Sequence, residues 1–254
     1  MTNFNISIVS DTVCPWCYVG KNKAHLERSP QGIPLPPLSQ PTLPKPPNHL
    51  RTDSPSLSSP ELDLAIAAHK SRFPSDTFTT TWHPYYLNPN APIPSVDKRS
   101  LYASKFGAER SVMMFQRLES IGKKVGIRFS FGGKTGNTRD SHRLIQMAGT
   151  KGEDVQVKVV EKLFRAYFEE EKDITSREVL KAAAVESGLG QQEVSEWLES
   201  DMGGEQVDKE VMEAQLKGIN GVPNFVLQGQ LEIGGAQDPE AFVRAFEQVK
   251  AVEA

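Results

Sequence analysis

The sequence predicts an α/β fold into which an all-helical domain is inserted, and three observations lead to this expectation. Apolar residues alternate with polar ones in FNISIVSD (4–11), which predicts a strand. A second strand is predicted at DTFTTTWHPYYL (76–87), which is rich in threonine and aromatic residues. Between about 96 and 218, apolar residues recur at helical spacing almost throughout.

The carboxyl-terminal part of the chain changes character again. Two short apolar runs flank Gln228-Gly229, which predicts a tight hairpin, and an amphipathic helix is predicted to start after Asp238-Pro239. We therefore assign residues 1–95 and 206–254 to one α/β domain and residues 96–205 to the helical insertion.

Within the helical stretch, one helix has recognisable ends. Thr175 and Glu178 match a capping box ahead of VLKAAAV, and Gly188 suits the end of that helix. Trp82 and Trp197 are expected in the core.

Length, charge and hydropathy limit the classes of function. The chain has 254 residues, 38% of them hydrophobic, which is enough to build a core. Its formal net charge is -3 and it has no basic stripe, so nucleic acid is not an expected partner. It has no positively charged leader and no apolar run near the roughly 18 residues of a membrane span. We expect a cytoplasmic protein with no membrane partner.

A proline-rich stretch interrupts the first domain. Residues 29–60 contain 10 of the 18 prolines, no aromatic residue and only three charges. This composition predicts a disordered loop, with a proline-rich docking ligand as the alternative. The insert, at about 24–61, splits a helix that begins at Pro15, and joining Lys23 to Leu62 restores one amphipathic helix. Translated intron sequence in a faulty gene model is a second explanation.

The two cysteines of the chain, Cys14 and Cys17, lie in DTVCPWCYVGK directly after the first predicted strand. Cys14 is expected where the strand turns into a helix, and Pro15 suits the first helical turn. The positive end of a helix stabilises a thiolate at Cys14. Cys17, one turn later, is placed to attack a mixed disulfide on Cys14.

Two other interpretations of the cysteine pair remain open: a metal site and an inert thiol pair. A zinc or iron–sulfur site normally needs four ligands, and no second close Cys or His pair accompanies this one. The histidines are scattered, at positions 25, 49, 69, 83 and 142. Cytosolic thiols are kept reduced, which argues against a structural disulfide between the two cysteines. No metal and no resident cofactor are expected. Redox exchange with glutathione or a partner thiol is compatible with the pair.

The order of elements favours a thioredoxin fold. A strand, then C-P-W-C opening a helix, then much later Val222-Pro223 before a hairpin is typical of that fold, in which this proline is cis and lies opposite the cysteines. The alternative is an ordinary trans turn proline. The backbone beside a cis proline offers an edge to an extended substrate peptide.

Several segments together resemble one family. They cover nearly all of the chain outside the proline-rich stretch and are DTVCPWCYVGK, TWHPYYLNP, DKRSLYASKFG, GKTGNTRDSHRLIQMA, AYFEEEKDI and KGINGVPNFVLQGQLEIGGAQ. The sequence resembles the DsbA-like thioredoxin family and, within it, the FrnE-type subgroup. The family has no counterpart to the proline-rich insert.

The resemblance implies a helical domain inserted in a thioredoxin fold and an activity as a thiol–disulfide oxidoreductase or isomerase. It implies that Cys14 is the nucleophile and Cys17 the resolving thiol, and that Val222 and Pro223 form a substrate-facing loop. The implied partners are proteins or small molecules that carry thiols or disulfides. Pro15 and Trp16, between the cysteines, are expected to shape the substrate surface.

The resemblance also singles out His142, in GNTRDSHRL. Its helix resembles one that the family places over the active site, which makes His142 a candidate to tune the thiolate or contact substrate. The alternative is a helix-surface histidine with satisfied hydrogen bonds.

Related kappa-class glutathione transferases and hydroxychromene carboxylate isomerases share the architecture but generally have serine at the active-site position. Because this chain has Cys14 and Cys17, dithiol chemistry is favoured over a glutathione-dependent transferase or isomerase.

Overall fold

The structure is a computed structural model that describes residues 1–22 and 60–253. The insert predicted at about 24–61, with its competing explanations, lies outside the described residues except for its last two positions. In chain order, the elements are β1 (Asn3–Ser10), α1 (Pro15–Asn22), α2 (Pro60–Arg72), β2 (Thr77–Pro84), β3 (Val96–Asp97), α3 (Lys98–Phe106), α4 (Ala108–Lys124), β4 (Lys134–Thr135), α5 (Arg139–Gly149), α6 (Glu153–Phe168), α7 (Arg177–Glu186), α8 (Gln191–Glu199), α9 (Gly204–Leu216), β5 (Asn224–Leu227), β6 (Leu231–Gly234) and α10 (Pro239–Glu253).

A mixed four-stranded sheet in the order β2-β1-β5-β6 carries the fold. Strand β1 pairs with β2 in parallel and with β5 antiparallel, and β5 pairs antiparallel with β6. Helices α3 to α9 lie between β2 and β5 in the chain. The predicted fold class, α/β with a helical insertion, is confirmed. The domain boundaries at 95/96 and 205/206 stay a prediction.

Two details of the helical region differ from the sequence expectation. The short strands β3 and β4 pair antiparallel within the stretch where helix was expected almost throughout. The predicted capping box is wrong, because α7 begins one residue later with Ser176 at its N-cap, and the Thr175 hydroxyl donates to Asp173 Oδ1 (2.7 Å). Trp82 is buried as expected, whereas Trp197 is only partly buried.

The predicted hairpin is present, and its turn is tied to the first strand. Gln228 and Gly229 both have positive φ, 51° and 69°. Glycine adopts this conformation easily, but glutamine does not. The Gln228 side chain offsets the cost, because it donates to Asn3 O (2.9 Å) and accepts from Asn5 N (3.1 Å).

A buried ionic cluster joins three elements at the amino end of β1. The Asp76 carboxylate accepts hydrogen bonds from Lys250 Nζ (2.5 Å), Thr2 N (2.8 Å) and His69 Nε2 (2.9 Å). The bonds from Lys250, Thr2 and His69 hold the pKa of Asp76 well below its usual range. The cluster therefore connects α2 and α10 to the sheet.

Helix α6 covers the outer edge of β2. The amide of Gln156 accepts from Trp82 N (3.0 Å) and donates to Trp82 O (3.1 Å), while Glu153 Oε1 accepts from Thr80 N (2.9 Å). These side chains take the hydrogen bonds that another strand would make, so this part of the edge is not open to strand pairing.

Within the helical region, Arg143 of α5 is a fully buried cation with several partners. Its guanidinium donates to three backbone oxygens that follow or end α8, and to one carboxylate. They are Trp197 O (2.6 Å), Ser200 O (2.6 Å), Met202 O (2.9 Å) and Asp140 Oδ1 (2.7 Å). The Arg143 side chain thus provides hydrogen bonds to backbone oxygens at the end of α8 and joins this end to α5.

Replacing this arginine tests the arrangement. We expect Arg143→Met to lower the free energy of unfolding by about 3–5 kcal/mol. Ser200 O and Met202 O would lose the one side-chain donor described for them, and Trp197 O would keep only the Ser200 hydroxyl. Urea unfolding followed by circular dichroism measures the change. The control Lys162→Met removes an exposed ion pair with Glu186 and should cost less than about 1 kcal/mol. Equal losses in the two variants would contradict the role given to Arg143.

None of the helices in the described residues combines the length and apolar character needed to cross a bilayer.

Candidate active site

The first cysteine lies where the central strand ends and a helix starts. Cys14 N donates to Asp11 O (3.0 Å), which closes the turn after β1, and α1 begins at the next residue, Pro15. Cys14 therefore stands at the positive amino end of α1, as predicted. Both cysteines are free thiols and each is 2% exposed. Between them, Trp16 is 41% exposed and offers an apolar surface next to the thiols.

The loop before β5 meets this turn from the far end of the chain. Cys14 Sγ donates to Val222 O (3.4 Å), and the Val222–Pro223 peptide bond is cis, as the order of elements predicted. A Cβ added at Gly20 of α1 would lie 3.9 Å from Pro223 Cγ, so the loop packs against the cysteine helix. Cys14, Val222 and Pro223 are thus brought together as expected.

Cys17 lies behind Cys14 in the core. Burial raises the pKa of its thiol well above the ordinary value of 9.0, and the neighbouring Cys14 raises it further. The Ser10 hydroxyl and the Asp11 amide oppose this shift. In the reduced protein at neutral pH, Cys17 is therefore a protonated thiol.

A buried carboxylate, Asp11, lies at the centre of the site and was not predicted from the sequence. It is 1% exposed. Its Oδ2 accepts from Leu87 N (2.8 Å), and its Oδ1 lies 3.4 Å from Val13 N and 3.5 Å from His142 Nε2. A signal for it exists in the sequence: a charged residue directly after a buried strand and three positions before Cys14.

His142 is 3% exposed, so the alternative of a helix-surface histidine is wrong. Its Nε2 faces two acceptors, Tyr85 O (3.1 Å) and Asp11 Oδ1 (3.5 Å), and therefore carries the hydrogen. Among the described hydrogen bonds, none joins His142 to either sulfur. The ring contacts the back of the turn rather than the thiols.

The amino end of α5 also contacts the turn before the cysteines. The hydroxyls of Thr12 and Ser141 are 2.8 Å apart, and the Ser141 hydroxyl is also 2.7 Å from Thr138 O. All three residues are buried. The cysteine turn is therefore held from behind by the helical region.

The side chain that follows Cys17 anchors α1 in the same region. The Tyr18 hydroxyl donates to Glu169 Oε1. Its ring stacks on Phe168 with centroids 5.5 Å apart and meets Phe129 edge to face at 6.1 Å. Tyr18 thus packs the cysteine helix into an aromatic cluster at the end of α6.

The described residues contain no group of three or more His, Cys, Asp and Glu side chains arranged to hold a metal ion. The site consists of two thiols, backbone oxygens, one carboxylate and one imidazole.

The family model for the DSBA-like thioredoxin domain matches residues 60–247. The chain belongs to this family. The matched residues begin after both cysteines, so the family assignment and the cysteine geometry are two separate observations about this DsbA-like protein.

Solved structures share the DsbA-like fold. A probable DsbA oxidoreductase from Streptomyces coelicolor is 23% identical, with 98% of this chain and 90% of that chain covered and a TM-score of 0.73. A putative protein disulfide isomerase from Nitrosomonas europaea is 14% identical, with 99% and 100% covered and a TM-score of 0.64. The cytosolic disulfide reductase DsbM from Pseudomonas aeruginosa is 15% identical, with 98% and 100% covered and a TM-score of 0.53. A sequence search of curated proteins found no match.

The buried second thiol of this DsbA-like chain predicts a pH dependence of alkylation. In the variant Cys14→Ser, we expect iodoacetamide to modify Cys17 slowly at pH 7–8, with a rate that rises only above about pH 9, because burial raises the Cys17 pKa. Mass spectrometry of the labelled peptide at a series of pH values measures the rate. Complete labelling within minutes at pH 7 would contradict the placement of Cys17.

The anchoring of α1 in the DsbA-like fold predicts a loss of stability in Tyr18→Phe. The variant keeps the ring stacking but leaves Glu169, 15% exposed, without the hydroxyl donor. We expect the free energy of unfolding to fall by about 1.5 kcal/mol. Tyr86→Phe is the control, because its hydroxyl bonds to the exposed carboxylate of Asp208 (2.9 Å) and should cost less. If urea unfolding gave Tyr18→Phe the same free energy of unfolding as the wild type, the role of the Tyr18 hydroxyl in anchoring α1 would be refuted.

Proposed function

We propose that the protein is a thiol–disulfide oxidoreductase or isomerase that acts through the Cys14–Cys17 dithiol. The observation that carries the proposal is the position of Cys14, at the amino end of α1 and in contact with Val222 O beside cis Pro223. A helix end favours the thiolate, and the loop beside the proline has backbone groups for an extended substrate. Membership of the DsbA-like family agrees with this chemistry.

In the reducing direction, the Cys14 thiolate attacks one sulfur of a substrate disulfide. The S–S bond of the substrate breaks, its other sulfur leaves as a thiolate and takes a proton, and a mixed disulfide forms on Cys14. Cys17 then loses its proton and attacks Cys14 Sγ, which releases the second substrate thiol. The products are a Cys14–Cys17 disulfide and a dithiol substrate, so two electrons have moved to the substrate. The oxidising direction reverses these steps.

The neighbouring residues support separate roles in this scheme. Trp16 is exposed next to the thiols, where a substrate would contact it, and Pro15 sets the first turn of α1. Val222 and Pro223 face Cys14 and would bind the substrate backbone. His142 is assigned an indirect role, because it contacts Asp11 and not a sulfur.

The narrower assignments rest on the sequence. The segments around the cysteines and the cis proline favour the FrnE-type subgroup. The substrates would be proteins or small molecules with thiols or disulfides, with glutathione or a partner thiol as the recycling agent and no resident cofactor or metal. We place the protein in the cytoplasm, the compartment named for the similar DsbM from Pseudomonas aeruginosa.

A glutathione-dependent transferase or isomerase is the second candidate. It is favoured by the likeness to a 2-hydroxychromene-2-carboxylate isomerase, with a TM-score of 0.59 and 12% identity. Glutathione conjugation that persists in Cys17→Ser would support this candidate, because such chemistry needs no resolving thiol. Loss of all activity in Cys17→Ser would favour the dithiol mechanism.

Redox titration tests the main proposal. Purified protein in glutathione buffers should show one two-electron transition between the dithiol and the Cys14–Cys17 disulfide, detected by alkylation and mass spectrometry. Cys17→Ser should instead accumulate a mixed disulfide between glutathione and Cys14, because no resolving thiol remains. Cys14→Ser is the matched control and should accumulate far less. Absence of the transition in the wild-type protein would refute the oxidoreductase proposal.

A further inference from the structure

Asp11 contacts both cysteines and two of the elements that support them. Its backbone oxygen accepts from Cys14 N (3.0 Å), and its amide faces the sulfur of Cys17. Its carboxylate accepts from Leu87 N (2.8 Å) and lies 3.5 Å from His142 Nε2. One residue thus touches both cysteines, the segment after β2 and helix α5.

The charge of this carboxylate has no lysine or arginine partner within the part of the chain that the structure describes. Its one ion-pair contact there is with His142, whose Nε2 also faces Tyr85 O. The remaining donors are backbone amides, from Leu87 and Val13. A negative charge buried in this way acts strongly on its neighbours, because little water screens it.

We propose that Asp11 is a positioning residue that makes the Cys14–Cys17 couple reducing, so that the protein donates electrons to disulfides rather than forming them. The inference rests on the proposed dithiol function. The Cys14 thiolate is the attacking species of the proposed dithiol chemistry, whereas the disulfide carries no charge. A carboxylate beside the turn repels the thiolate and does not act on the neutral disulfide in the same way. It therefore destabilises the reduced form and lowers the reduction potential, the opposite of a strong oxidant whose reduced form is stabilised.

The proposal concerns the exchange equilibrium between the protein dithiol and glutathione disulfide. Protein dithiol and glutathione disulfide give protein disulfide and two glutathione thiols, with two electrons passing from the protein to glutathione. Stabilising the dithiol lowers the equilibrium constant of this reaction, so the constant measures the effect of Asp11 directly.

The variant Asp11→Asn keeps an acceptor oxygen for Leu87 N and removes the charge. We expect its equilibrium constant with glutathione disulfide to fall about tenfold, which corresponds to a reduction potential about 30 mV higher. We also expect faster alkylation of Cys14 at pH 7, because more of it is thiolate. Asp11→Ser is a second uncharged variant, so that the result does not depend on the folding of one protein. Asp11→Glu keeps the charge and should stay closer to the wild type.

Asp76→Asn is the matched control. Asp76 is also a buried aspartate paired with a histidine, His69, at 2.9 Å, but it lies at the opposite end of β1. The eight residues of β1 separate the two sites by roughly 26 Å, at about 3.3 Å per residue. We expect Asp76→Asn to lose stability without a change in the glutathione equilibrium.

The outcomes separate the two proposals. A lower equilibrium constant with glutathione disulfide in the uncharged Asp11 variants, with an unchanged equilibrium constant in Asp76→Asn, supports the role of Asp11. If the wild type shows the two-electron transition but the uncharged Asp11 variants have the same constant, the role of Asp11 is refuted while the oxidoreductase function stands. If the wild type shows no transition, both proposals fail.

Discussion

The pairing of β1 with β5 is the constraint on which the site depends. In the antiparallel register, Val9 lies opposite Asn224, so the residues just beyond them meet at the same edge of the sheet. Cys14 and Val222 are 208 positions apart in the chain, yet the sulfur and the carbonyl oxygen are 3.4 Å apart. A shift of the register would separate them and also turn the buried side chains of β1 toward the wrong face.

The cysteine helix is too short to be stable alone, so its neighbours determine its position. Helix α1 has eight residues, and isolated helices of this length are marginal in water. Its beginning is fixed by Asp11 and by the contact of Thr12 with Ser141. Its middle is fixed by Tyr18, which stacks on Phe168 of α6. The helical insertion therefore supports the same element that presents the thiols, which explains how a short helix can hold the two cysteines in place.

The sequence predicted those features that depend on local patterns. The alternation in β1, the proline after Cys14 and the Gln228-Gly229 turn each carry their own signal, and the structure has each of them. The burial of His142 and the role of Asp11 depend on contacts between residues far apart in the chain, such as Leu87 N with Asp11 Oδ2. The failed capping box at Thr175 shows that a local match is not sufficient, because the nearby carboxylate of Asp173 takes the hydroxyl.

Two buried aspartate–histidine pairs lie at opposite ends of β1, and they differ in whether a cation neutralises the carboxylate. At the amino end of β1, Asp76 has the ammonium of Lys250 at 2.5 Å in addition to His69, so its charge is neutralised and serves to join elements. At the carboxyl end, the carboxylate of Asp11 is held by backbone amides and one imidazole. Amide donors satisfy the hydrogen bonds of a carboxylate without cancelling its charge. A field from Asp11 therefore remains at the turn that holds the thiols, which is the position where a charge changes the balance between thiolate and disulfide.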